Sequence, residues 1–263
     1  MTIKNALATA PFALAIILAG CGNQDAPESE ANAATPAATA TGDSAVPSAK
    51  PTRAAGQEWS DVVVKTPEGG YAMGNPDAPV TLVEYGAVTC SHCAAFEQSA
   101  FASMKKDYVD SGKVRFELRN FILSPFDIPI TLLTQCEGPD RYYPLTEAVF
   151  GEQEALMQPA IQLSQSNPQA LQDAMNAPLN ERFYNLGKAM GVVDFFASRG
   201  LTEEKAKACL SDQSAIERLV ATTEKGVSDG VTGTPTFFLN GEKIQTDKWA
   251  EMKPRLDAAL GAQ

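Results

Sequence analysis

Cys90-Ser91-His92-Cys93 places two cysteines and a histidine within four consecutive residues. Residues three apart on a helix share a face, so sulfurs at this spacing can form and break a disulfide. If the helix starts at Cys90, its free amide groups and its dipole stabilise a thiolate there. Cys93 falls one turn later on an apolar stripe with Phe96, Ala100, Met104 and Tyr108, and is shielded. Cys90 is therefore the expected attacking thiol and Cys93 the resolving thiol. A polar or protonated His92 ring beside Cys90 favours the thiolate, hence the reduced form, and makes the pair a stronger oxidant. The rival chemistry is half of a zinc site. A structural zinc takes four ligands, and Cys136 and Cys209 make no second pair at this spacing. Redox exchange is the stronger reading.

Two other positions bear on that chemistry. Gly233-Thr234-Pro235-Thr236 precedes an apolar run, and a proline there must sit at a strand edge or irregularity. A plain trans proline is the ordinary alternative. Glu84 interrupts an otherwise apolar stretch over 80–88. It either points to solvent, or lies buried beside Cys93 with a raised pKa and exchanges a proton with the thiol. Because His92 is the single histidine, hydrolases that need a remote histidine are excluded, as are the usual His-rich metal sites. A net charge of -11 argues against nucleic acid, whose phosphates require Lys and Arg.

The elements needed to hold these residues are readable in order. Residues 62–64 form a short strand, Gly69-Gly70 a turn, and 80–88 a buried strand. A helix runs from near Cys90 to Gly112, and a strand follows over 114–123. Next comes a long helical stretch carrying Leu132, Leu133, Leu145, Val149, Phe150, Leu156 and Met157, punctuated by Gly138-Pro139, Pro144 and Pro159. Further helices are expected at 179–190, 192–199, 202–210 and 212–228, with Thr202, Glu203 and Glu204 suiting a helix start. Beta character returns at 236–239. Asn240-Gly241 is a strong hairpin signal, and Lys243-Ile244 starts the returning strand. A last helix, capped by Thr246, carries Trp249, Met252, Leu256 and Leu260 on one face, with Pro254 inside it. The layout is βαβ followed by ββα with helices between, an α/β fold.

The N-terminus sets the expected compartment. Lys4, an apolar segment over 6–18 and Leu18-Ala19-Gly20-Cys21 resemble a bacterial lipoprotein signal, in which Cys21 is acylated and becomes the mature N-terminus. An ordinary signal peptide with an incidental Cys21 is the alternative. Residues 21–57 are rich in Ala, Pro, Ser and Thr and read as a disordered linker. Cleavage before Cys21 would leave four cysteines in a folded domain in an oxidising compartment, the number for two disulfides. Cys136 and Cys209 are then either a structural disulfide or two buried free thiols, and the oxidising compartment favours the disulfide.

The strand before Cys90-Ser91-His92-Cys93, the helical insertion and Thr234-Pro235 before a hairpin resemble DsbA-like thioredoxin-fold proteins. The stretch 66–96, with Gly74-Asn75-Pro76 and Val83-Glu84-Tyr85, is similar to alphaproteobacterial members. The resemblance covers nearly all of 59–263. It implies a thioredoxin fold over 58–125 and 229–263, with a helical domain inserted over 126–228, behind a signal peptide over 1–20. It implies that Pro235 is cis and packs against the disulfide, that Thr234 contacts the site, and that Glu84 is a buried acid moving protons. Family members pair that acid with a lysine on the next strand, which here reads Arg115-Phe116-Glu117-Leu118-Arg119 and has none. The expected function is to introduce disulfides into exported proteins, with no cofactor beyond the redox-active disulfide. Its partners would be reduced or unfolded exported proteins and a DsbB-like membrane redox partner. The protein would be periplasmic and membrane-attached through Cys21. The alternatives are a reductase or isomerase of the same fold and a lipoprotein that only binds partners. A kappa-type glutathione enzyme is disfavoured because it lacks the paired cysteines.

Overall fold

The computed structural model describes residues 52–262. The signal peptide, Cys21 and the linker up to residue 51 lie outside the described residues. Among the described residues six strands form one sheet: β1 (Val63–Lys65), β2 (Tyr71–Met73), β3 (Val80–Gly86), β4 (Val114–Asn120), β5 (Thr236–Leu239) and β6 (Glu242–Ile244). Their order is β1-β2-β4-β3-β5-β6. Only β3 and β4 are parallel. A parallel pair needs a crossover, and the helical segment 91–109 supplies it. β3 ends at Gly86, before the expected limit, and the chain turns there, with the Cys90 amide donating to the Ala87 carbonyl.

The crossover helix is not uniform. It opens as an α-helix over Ser91–Phe96, then passes through π-helical turns at Glu97–Phe101 and Lys105–Val109 around a short α turn at Ala102–Met104. The stripe Phe96, Ala100, Met104, Tyr108 repeats every fourth residue, which would drift around an α-helix of about 3.6 residues per turn. The wider π turns cancel that drift and keep all four side chains buried. Together with Met252 and Leu256 of the last helix, Trp249–Gly261, they pack on Met73, Leu82, Phe116 and Phe237 of the sheet.

Between β4 and β5 run eight helices of the described chain, from Asp127–Gln135 to Gln213–Ser228. They enclose a second core built around Ile130, Leu133, Val149, Leu186, Met190 and Phe196. The architecture is a mixed α/β thioredoxin fold with a helical insertion.

Three proline and cap expectations need correction. Pro144 and Pro159 lie inside helices Pro139–Gly151 and Gln153–Ser166, and do not end them. The carbonyls each proline frees, four residues earlier, belong to exposed Asp140 and Ala155, where water can satisfy them. Thr246 does not cap the last helix. Its hydroxyl accepts the Lys248 amide (3.1 Å) and holds the preceding turn, while Lys248 itself stands at the N-cap without a side-chain bond.

Candidate active site

β3 delivers the chain to Cys90, which occupies the N-cap of the crossover helix with extended backbone angles (φ -83°, ψ 118°). Its Sγ accepts the Cys93 amide at 3.4 Å and its thiol donates to the Thr234 carbonyl at 3.2 Å. Cys90 keeps 8% of its surface exposed and Cys93 only 1%; both thiols are free in this structure. The Thr234-Pro235 bond is cis. Pro235, Thr234, Gly233, His92 and Asp247 line an open cleft of about 480 Å³ beside the motif.

The two sulfurs differ sharply in acidity. Cys90 is pulled down to about 5. The Cys93 thiol is the main cause, helped by Thr234 and by the amides of Cys93 and His92, against the opposing effect of burial. The Thr234 hydroxyl is buried with no hydrogen-bond partner, and its side chain favours the Cys90 thiolate. Cys93 is pushed far up, first by burial, then by its bond to Cys90 and the nearby charges of Glu84 and Cys90. The arrangement can hold a thiolate on one sulfur while keeping the other protonated.

Glu84 is buried (3% exposed), which settles its direction against solvent. Across from it in the sheet stand Leu118 of β4 and Phe237 of β5. Burial in that apolar setting raises its pKa to about 8, with the Cys90 charge adding to the rise. Gly86 makes room for the carboxyl: a Cβ there would lie 2.9 Å from Glu84 Oε1. The basic side chain of β4 nearest in sequence, Arg119, is engaged by Glu117 at 2.8 Å.

His92 is placed differently from the other motif residues. Its side chain is 73% exposed, with Nδ1 3.4 Å from Asp247 Oδ2. The group of His92 that reaches Cys90 is its backbone amide. Replacing the ring by His92→Leu is therefore expected to raise the Cys90 pKa by less than one unit. That corresponds to a potential change below about 30 mV for a two-electron couple. Thiolate absorbance and a glutathione redox titration check this, and a shift of a full unit would return the thiolate's stability to the imidazole.

Cys136 and Cys209 are bonded to each other in the insertion, with Cα atoms 5.8 Å apart. Their sulfurs therefore do not join Cys90 and Cys93 in a four-ligand set. Several residues near the site escaped the sequence reading. Glu97, half-buried and one turn after Cys93, is raised to about 9 by burial and by the charges of Glu84 and Glu147; its helical spacing from Cys93 was a usable signal. Asp247, Asp127 and Gln153 reach the site through tertiary contacts that no local pattern announces.

A family model described as Thioredoxin matches residues 66–258. A Rickettsia bellii relative, named for protein-disulfide oxidoreductase activity, is 28% identical over 190 residues, 72% of this chain and 63% of its own length. The match thus spans less than two thirds of that curated relative. The solved structure of a protein-disulfide isomerase from Novosphingobium aromaticivorans is 30% identical with a TM-score of 0.67, covering 73% of this chain and 97% of its own. Wolbachia pipientis alpha-DsbA1, 22% identical with a TM-score of 0.57, shares the fold over 76% of this chain and 94% of its own. The chain therefore belongs to the thioredoxin family, with a helical insertion between the two halves of the fold.

Proposed function

We propose that the chain is a thiol–disulfide oxidoreductase that donates the Cys90–Cys93 disulfide to exported proteins. The observation that carries the reading is the asymmetry of the two sulfurs: Cys90 held near pKa 5 at an open cleft, Cys93 buried with its thiol pushed far up. In this reading a substrate thiolate attacks Cys90 Sγ, the Cys90–Cys93 bond breaks, and Cys93 leaves and takes a proton. Glu84, with a pKa of about 8, is largely protonated at neutral pH and is the nearby donor. A second substrate thiolate then attacks the first substrate sulfur, forming the substrate disulfide and expelling Cys90 as a thiolate. A low pKa makes Cys90 a good leaving group. Thr234 and Pro235 border the cleft where the substrate backbone would lie. The disulfide itself is the redox group, with no separate cofactor, and a membrane redox partner would take the two electrons to restore it.

A second reading has a specific observation behind it: the similar Novosphingobium structure is that of a protein-disulfide isomerase. Isomerisation uses the same sulfurs but requires the dithiol form in the cell. The deciding experiment is oxidative refolding of a reduced, multi-disulfide substrate alongside insulin reduction. The oxidised protein should accelerate refolding, and Cys90→Ser should abolish the effect. Insulin reduction or reshuffling of scrambled disulfides without net oxidation would give the isomerase or reductase reading. Inactivity in all three assays would leave a binding module.

The proposed location is periplasmic, with a lipid anchor on Cys21. No helix among the described residues is long and apolar enough to cross a membrane. Acylation with two or more chains gives stable attachment where one chain is marginal. Cys21→Ala is accordingly expected to move the protein from the membrane to the soluble fraction; unchanged fractionation would remove the lipoprotein reading.

A further inference from the structure

The loop that leads into Cys90 is held by side chains of the helical insertion. Gln153 opens the helix Gln153–Ser166, and its Nε2 donates to the Val88 carbonyl at 2.8 Å and to the Cys90 carbonyl at 3.0 Å. Between those two carbonyls, the Thr89 amide donates to Asp127 Oδ1 at 2.9 Å. Asp127 is fully buried, and its Oδ2 also accepts the amides of Leu123 (3.0 Å) and Ser124 (2.8 Å), where the chain leaves β4 for the insertion. Three successive residues before the helix are thus gripped on alternating backbone groups by two side chains from another part of the fold.

We propose that Gln153 is a positioning residue for Cys90, fixing the N-cap geometry that aims the backbone amides of the first helical turn at the sulfur. The proposal rests on the redox reading above. The Cys90 carbonyl has two donors, Gln153 and the Ala94 amide that starts the helix. Val88 is 1% exposed, and its carbonyl is paired with Gln153. Without the amide, the Val88 carbonyl loses a partner and the loop gains freedom to turn toward another. The N-cap angles then relax, and the Cys93 amide, already at 3.4 Å from Cys90 Sγ, is the first donor to lose its aim. The choice of glutamine also fits. Its two N–H groups serve two carbonyls without a charge beside the thiolate, whereas a carboxylate would meet both carbonyls with lone pairs and oppose the thiolate directly.

The test compares Gln153→Ala, Gln153→Met, Gln153→Glu and Gln158→Ala in the full chain. Gln158, farther along that helix, borders a groove together with Gln153 and Ser91 and serves as the control. Thiolate absorbance titration and the glutathione equilibrium are read on each. All three Gln153 variants should raise the Cys90 pKa by at least one unit, a change of about tenfold in the thiolate-to-thiol ratio. They should also make the disulfide correspondingly harder to reduce, while Gln158→Ala titrates as the parent. If Gln153→Ala fails to fold, Gln153→Met, which keeps the length with neither the amide donors nor a charge, carries the test, because the Gln153→Glu carboxylate also raises the pKa by its charge. Gln153 variants that titrate as the parent overturn the proposal. These measurements need no protein substrate, so a chain that titrates as expected but does not oxidise proteins sinks the functional reading and leaves this inference standing.

Discussion

The dithiol form is expected to melt several degrees above the disulfide form at pH 7, and the gap is expected to close as the pH falls toward 5. The folded protein holds Cys90 near 5, against an ordinary thiol value of 9.0. A depressed pKa contributes stability that is fully present above the unfolded value, declines as the pH drops through the interval, and is lost below the folded value. The window is therefore from about 9 down to about 5. At pH 7 the folded thiolate outweighs its thiol about 100-fold, since each pKa unit is a factor of ten. The oxidised protein has no thiol to ionise and lacks this contribution. Its four-residue disulfide loop restricts the unfolded chain far less than a long one would. Glu84 acts in the opposite sense. Its pKa is raised to about 8 from 4.5, so the stability tied to its protonation is present below 4.5 and is lost as the pH rises through 8. The main cause of that shift is burial, which both redox forms share, so most of it cancels in the difference. Thermal melts of the two forms between pH 4.5 and 8 read the effect. A disulfide form that melts higher throughout would show that the fold does not favour the thiolate, and would count against an oxidase.

Local rules made much of this molecule readable. Thr202 caps its helix by accepting the Lys205 amide, as the acidic run after it suggests. Asn240 and Gly241 both take positive φ, as a two-residue hairpin turn between β5 and β6 requires. The helix Pro168–Asn176 lies outside the expected helices although Asn167 caps it and Pro168 opens it; its apolar Leu171 and Met175 stand four apart and pack, partly exposed, on the second core. The π turns of the crossover helix are legible only in retrospect, from a stripe whose period is four. Glu84 shows where sequence reasoning stops. A single acid in an apolar run has two possible directions, and the choice depends on which residues the sheet register brings opposite; here they are Leu118 and Phe237. The clamp by Gln153 and Asp127 and the contact of His92 with Asp247 join positions far apart in the chain, which one sequence without tertiary information does not pair.

The double variant Cys136→Ala, Cys209→Ala is expected to lose about 4 kcal/mol of stability or somewhat less, while the Cys90 pKa stays where it is. The bond joins residues separated by 73 positions. In the chain-entropy model a closed loop of that length restricts the unfolded ensemble by about 4 kcal/mol, and measured values often fall below it. Within the fold, the bond ties the end of the first inserted helix, Asp127–Gln135, to the helix Glu203–Leu210. Cys136 also packs against the second core. The neighbouring ion pairs, Lys205 with Glu137 at 3.2 Å and Arg141 with Glu137 at 3.3 Å, are at the surface and add little on their own. Asp127, which holds the loop before Cys90, lies on the same helix, nine residues before Cys136. Its carboxylate is anchored by bonds to Leu123 and Ser124 and not by the disulfide, so loosening the far end of the helix should leave the nucleophile's setting intact. Denaturant melts of the parent and the double variant, each with Cys90 and Cys93 kept reduced and unreactive toward new disulfides, give the stability; thiolate titration gives the Cys90 pKa. An unchanged midpoint would assign the pair no stabilising role. A lowered midpoint with a shifted Cys90 pKa would show that the insertion transmits strain from its disulfide to the active site.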